Sequence, residues 1–170
     1  MKSILGLLFL LFMFCVRAQG DEIWMYPNKG QWDAKINYKI DLQAGKMYLE
    51  NNRFTYHFYE SANNHKYTNK RNSTHKSTKI PNHVIQQEFI GANPSVLISE
   101  DNSPHYINYF IGNDSSKWRS KIHATQKITY SNFYPNIDLY IDAHNQQLEY
   151  SFKIGPQVDP TQIKYTISGA

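Results

Sequence analysis

The side chains in this sequence that could do chemistry are its histidines, one short acidic run and its aromatic rings. The histidines are His57, His65, His75, His83, His105, His123 and His144. No two stand at the ~3–4 residue spacing that places paired ligands on one helical turn, and no His-Glu-x-x-His motif occurs, so no metal site is expected. The densest acidic group is Asp138 and Asp142, with Glu149 on the strand that follows. Four positions apart on one strand face, Asp138 and Asp142 are about 13 Å apart at ~3.3 Å per residue. That separation is wide for a retaining glycosidase pair and somewhat beyond an inverting one. A calcium loop would need several oxygens within a few residues, which this run lacks. A hydrolase using acids such as Asp138 and Glu149 is therefore the third-ranked reading, and an ordinary solvent face is the first.

Other catalytic patterns are missing. There is no Gly-x-Ser-x-Gly elbow, no Gly-x-Gly-x-x-Gly turn and no phosphate-cradling Walker loop. No catalytic residue and no cofactor is assigned. The aromatics offer a binding reading instead. Tyr140 is out of phase with the apolar row around it, and Trp24, Trp32 and Trp118 fall in loops or at strand ends. Exposed rings stack on sugars or dock partners. Tyr140, Trp118 and the neighbouring Asp138 are thus the candidate ligand contacts, against a packing role for each.

The elements that position these residues are strands. Ile36, Tyr38, Ile40 and Leu42 alternate with polar residues, as do Phe54, Tyr56 and Phe58. The same period recurs at Ile107–Ile111, Ile137–Ile141, Leu148–Ile154 and Ile163–Ile167. Alternation marks half-buried strands, and β-branched and aromatic residues suit them. Gln43-Ala44-Gly45 and Asn51-Asn52 supply turns for a meander, and Ala143–Gln146 supplies a further hairpin. The expectation is an all-β fold, an antiparallel β-sandwich of short strands and hairpins.

Two segments stand apart. Behind Met1-Lys2, the apolar run Ile4–Val16 is shorter than the ~20 residues of a membrane-spanning helix. It fits the core of an export signal. Residues 1–18 are read as a signal helix cleaved before Gln19, with a cut before Asp21 as the alternative. Cys15 is the only cysteine and follows Phe14 rather than a small residue, so lipidation does not fit. A chain without its leader would hold no thiol, hence no disulfide. Residues 61–82 carry Lys66, Lys70, Arg71, Lys76 and Lys79, no acid and few apolar side chains. They are expected to form a long mobile polar loop. The loop leaves a polyanion-binding reading open beside the bland one.

These segments account for the charge. The whole chain has 18 basic and 14 acidic residues, a net +4. Without Lys2 and Arg17 the balance is 16 against 14, and without the five loop cations it is 11 against 14. The folded body, residues 19–170 less the loop, is mildly acidic. No nucleic-acid partner is expected.

Four stretches are familiar as a set: Asn28–Asp33 (NKGQWD), Asn108–Ile122 (NYFIGNDSSKWRSKI), Tyr134–Ile141 (YPNIDLYI) and Leu148–Ala170. In this order they resemble the DUF7948 domain, an N-terminal β-rich domain of large exported Bacteroidota proteins. Those proteins carry gliding-motility-associated C-terminal domains, SBBP repeats, or PKD and Ig-like modules. The resemblance implies secretion through the type IX machinery, residence outside the cell or at the outer-membrane surface, and a noncatalytic role in adhesion or scaffolding. A cell-surface protein or glycan is the implied partner. It implies no catalytic residue. Ser151 stands where the family usually has Asp, and Gly155–Pro160 replaces its usual Pro-Gly-Ala-Asp-Pro turn. Because family members usually continue into repeats and a sorting domain, the sequence ending at Ala170 is read as a truncated or partial gene product, or a fragment, rather than a complete surface protein.

The four stretches also have a reading from their residues. Gly30 permits a tight turn, from which Trp32 is expected to fold onto the apolar row of the first strand. Asn113–Ser116 looks like a turn or short helix cap, and Tyr134-Pro135-Asn136 a turn before a strand.

Overall fold

The structure, a computed structural model, describes residues 22–59, 81–94, 96–144 and 146–169. The leader, residues 1–18, lies outside them, as do residues 61–80 of the basic segment with His65 and His75. Asn82, at the end of that segment, opens a strand.

The strands are β1 (Met25–Pro27), β2 (Tyr38–Leu42), β3 (Gly45–Leu49), β4 (Arg53–Tyr59), β5 (Asn82–Phe89), β6 (Val96–Tyr109), β7 (Arg119–Tyr134), β8 (Ile137–His144), β9 (Gln147–Ile154) and β10 (Tyr165–Ser168). All strand pairings among the described residues are antiparallel. The expected meander is β2–β3–β4, turning at Gln43–Gly45 and at Asn51-Asn52. The expected hairpin at Ala143–Gln146 joins β8 to β9.

The all-β, antiparallel expectation holds, but the strands do not divide into two separate sheets. They form one ten-stranded sheet in the order β10-β5-β4-β3-β2-β1-β7-β8-β9, with β6 paired to the other edge of β7. The sheet curls into a half-barrel. The join is β1, which pairs with β2 over three residues and with β7 through Met25 and Thr125. A strand this short leaves no period in the sequence, so the two halves read as independent layers.

Curling lets the halves bury each other's apolar rows. In β8, Ile137, Leu139, Ile141 and Ala143 point inward and are buried, while Asp138, Tyr140 and Asp142 point outward. Phe89 of β5 is fully buried and joins the halves. Its ring lies 5.1 Å from Phe54 of β4, 5.1 Å from Phe133 of β7, 6.1 Å from Phe152 of β9 and 6.1 Å from Tyr165 of β10, all edge-on. Such edge-to-face geometry adds to the burial of each ring. Tyr130, also fully buried, satisfies its hydroxyl by donating to the Glu50 carbonyl at 3.1 Å.

Candidate functional site

The residues singled out for ligand contact do not come together. Asp138 and Tyr140 share the outer face of β8, but Trp118 follows the hairpin tip at the far end of β7. Tyr140 pairs with Thr129, so about eleven strand residues, roughly 35 Å, separate it from Trp118. The Asp138 carboxylate accepts the Asn132 N–H at 2.8 Å. Asn132 has a positive φ of 51° at the register shift between β7 and β8, so Asp138 holds a bulge. Glu149 stands opposite Asp142, while Asp138 stands opposite Lys153. The pair weighed for hydrolysis is thus displaced along the strands. Among the described residues, no three His, Asp or Glu side chains come together as metal ligands. The His123 ring contacts the Ser103 carbonyl at 3.0 Å and the Tyr106 ring at 5.9 Å.

What does converge is the set of stretches that carried the resemblance. Asn28 organises the first of them. Its side-chain amide donates to the carbonyls of Asp33 and Ile36, both at 2.8 Å, and its Oδ1 accepts the N–H groups of Gly30 at 2.9 Å and Trp32 at 3.3 Å. Gln31 completes the loop by donating to the Pro27 carbonyl at 2.8 Å and accepting the Lys29 N–H at 2.6 Å. Arg119 then clamps this loop to the second stretch. Its Nε donates to the Lys29 carbonyl at 2.5 Å, and its Nη1 donates to the carbonyls of Ser116 at 2.6 Å and Trp118 at 2.8 Å. Gly30, at φ 103°, lies under the guanidinium, and a Cβ there would sit 2.4 Å from Nη2.

Trp32 leaves this loop toward the opposite side from the one expected. It packs edge-on against Tyr109 at 5.2 Å and covers Lys39 on the outer face of β2, away from the buried Tyr38 and Ile40. The Lys39 ammonium lies 5.5 Å from the Trp32 ring centre, 5.6 Å from Tyr109 and 5.7 Å from Tyr26, and forms an ion pair with Asp41 at 2.9 Å. Burial alone would lower the Lys39 pKa, but the Asp41 hydrogen bond and the neighbouring charges raise it. Tyr26 is raised too, chiefly by burial. The cage therefore holds a cation at neutral pH, and that cation belongs to the chain itself. A groove of about 370 Å³ between the loop and Leu97 of β6 runs beside it.

The other two stretches meet at the opposite end. The Gly155 N–H donates to the Asn136 carbonyl at 3.0 Å, and the Tyr134 hydroxyl donates to the Lys164 carbonyl at 2.9 Å. Asp159 caps the short turn before β10 by accepting from the Thr161 N–H at 2.9 Å and hydroxyl at 2.6 Å, which holds its carboxyl below the usual range. Asp114 caps Ser115–Lys117 in the same way through Ser116, as the sequence led one to expect.

Apolar surface stands open in several places among the described residues. At the β6–β7 tip, Phe110 and Ile111 are exposed and Trp118 is 43% exposed. The Trp118 ring meets Phe110 at 5.8 Å and its indole N–H donates to the Gly112 carbonyl at 3.2 Å. At the end of the meander, a depression of about 480 Å³ is lined by Phe58, Tyr59, Pro81 and His83 among others. Sequence reading missed Lys39, Tyr26, Tyr109 and Arg119. The signal available was the spacing of Lys39 and Asp41 on one outer face.

Among the described residues, no helix is long and apolar enough to cross a membrane. No curated protein and no solved structure matches the chain. A family model does: that of a domain of unknown function, DUF7948, covers residues 25–170 and so includes all ten strands and both signature clusters. The chain belongs to the DUF7948 family.

Proposed function

We propose that this domain is a noncatalytic module of an exported bacterial surface protein, serving adhesion or scaffolding. The observation that carries the reading is the use made of the signature side chains. Asn28, Gln31, Arg119 and Asp138 spend their hydrogen bonds on the chain's own backbone, and Asp159 spends its own on the backbone and hydroxyl of Thr161. An enzyme family keeps polar groups aimed at a reacting atom; here the marked residues secure turns. Export rests on the apolar run behind Met1-Lys2 and on the resemblance to exported Bacteroidota proteins. The test has two arms. Incubation with glycan and peptide panels is expected to give no turnover, and turnover abolished by Asp138→Asn or Glu149→Gln would overturn the reading. Expression in an exporting bacterium is expected to give surface protein beginning at Gln19 or Asp21, and retention in the cytoplasm with an intact leader would count against it.

A second reading, glycan binding, is favoured by the Trp118–Phe110 pair, whose rings stand exposed at a hairpin tip. Ring faces of this kind stack on sugars. Glycan-array binding lost on Trp118→Ala would support it, and a blank array would remove it.

A further inference from the structure

β9 is a terminal strand of the sheet, and its free edge can be specified atom by atom. It pairs with β8 from Ile137–Ile154 to His144–Gln147, and just beyond, the Gly155 N–H donates to the Asn136 carbonyl at 3.0 Å. Backbone groups alternate sides along a strand. Glu149, Ser151 and Lys153 therefore bond to β8, while Leu148, Tyr150, Phe152 and Ile154 turn their N–H and C=O groups outward. Among the described residues no strand pairs with that edge. The same four residues form the inward apolar row, left incompletely covered: Tyr150 is 42% and Ile154 39% exposed. The strand has no proline, glycine or register shift, features that ordinarily blunt an exposed edge.

We propose that β9 pairs antiparallel with β9 of a second copy, about a twofold axis through Ser151. In this register Tyr150 meets Phe152 of the second copy and Leu148 meets its Ile154. Both are hydrogen-bonded pairs, as the outward backbone groups require. Glu149 meets Lys153 of the second copy in the closer non-bonded pairing, and symmetry makes that ion pair twice. Charge selects the register. Within the chain Glu149 stands beside the like charge of Asp142 on β8, an unfavourable cross-strand pair, and it has no ion pair among the described residues. A shift of two residues either way would set Glu149 against Ser151 or Gly155 and leave it unpaired. Dimerisation by strand addition would make one sheet continuous across two copies.

Sedimentation velocity on the purified protein over a wide dilution series tests this. A concentration-dependent dimer is expected. Glu149→Lys is expected to weaken it roughly tenfold, because two attractive cross-strand pairs become repulsive. The substitution places a lysine opposite Asp142, so the monomer's melting temperature should hold. The double change Glu149→Lys with Lys153→Glu restores the complementary pair and should restore the dimer. A wild-type protein that stays monomeric throughout overturns the proposal. So does a dimer indifferent to Glu149→Lys, which would move the contact to β6, β10 or the hairpin tip.

Discussion

Replacing Gly30 by alanine asks whether two distant signature stretches form one mechanical unit. Two costs are visible. At φ 103° an L-residue sits in a sparsely populated region, which costs ~1–3 kcal/mol. The new Cβ would also lie 2.4 Å from Arg119 Nη2 and 3.2 Å from its Cζ, too close for either to stay. Arg119 is a flexible side chain, so it moves, loosening bonds to the carbonyls of Lys29, Ser116 and Trp118. Charged hydrogen bonds are worth about 1.5–3 kcal/mol each, but these are solvent-exposed, so about 1–2 kcal/mol for the set is a fair discount. Gly30→Ala should therefore destabilise by about 3–4 kcal/mol, near 10 °C in Tm for a chain of this size. In an Arg119→Ala background the clash is gone and only the backbone strain remains, about 2 kcal/mol. The double-mutant cycle, read by urea unfolding with matched m-values, should show a coupling of about 1–2 kcal/mol, with the double variant more stable than additivity allows. Additivity within ~0.5 kcal/mol would refute the reasoning and mean that the guanidinium does not rest over Gly30 in solution.

Other perturbations test the core and the outer face. Phe89→Ala removes the fully buried ring that touches β4, β7, β9 and β10 and should cost about 3–5 kcal/mol in denaturant unfolding; a loss below ~1 kcal/mol would mean the halves do not pack through it. Burial, with a smaller contribution from Tyr150, pushes the Tyr56 phenol from 10.0 up to about 12. A raised pKa means that the folded state favours the neutral form, so this contribution is intact below pH 10 and lost as pH rises through about 12. Tyr56→Phe should flatten part of the alkaline fall in stability, and an unchanged fall would place Tyr56 in solvent. Asp138→Ala frees the Asn132 N–H at the bulge and should cost about 1 kcal/mol by thermal melt; a gain in stability would show that the carboxylate is strained there for another purpose.

Strand alternation and turn residues were legible because each depends on neighbours in sequence. β8 could be read directly, since every second residue from Ile137 to Ala143 is buried. β7 could not. Its period breaks where Ala124 and Thr125 are both buried, and again at the register shift before Tyr134, so its sixteen residues gave no clean row. The hydrogen bond of Arg119 to Lys29 spans ninety positions and leaves no local trace. Lys39 was hidden for a related reason: an outward lysine on an alternating strand looks solvated, and only the return of Tyr109 and Trp32 from elsewhere in the chain turns it into a caged cation.

That cage explains why the resemblance was specific as a set and weak in its parts. NKGQWD alone is a turn. It acquires a fixed shape only when Arg119 closes over Gly30 and Tyr109 meets Trp32, and both partners lie in the second stretch. Likewise Asn136 takes its bond from Gly155, and Tyr134 reaches Lys164, so the third stretch depends on the fourth. Each member of a pair is constrained by the other, which ties their residue types together without any ligand. The corners of the curled sheet are thereby held by polar side chains, and among the described residues the aromatic tip at Trp118 and the outer edge of β9 are surfaces left free to meet other molecules. Both lie within stretches that mark the family, Trp118 in the second and most of β9 in the fourth, so the segments that build the frame also carry the surfaces it leaves open.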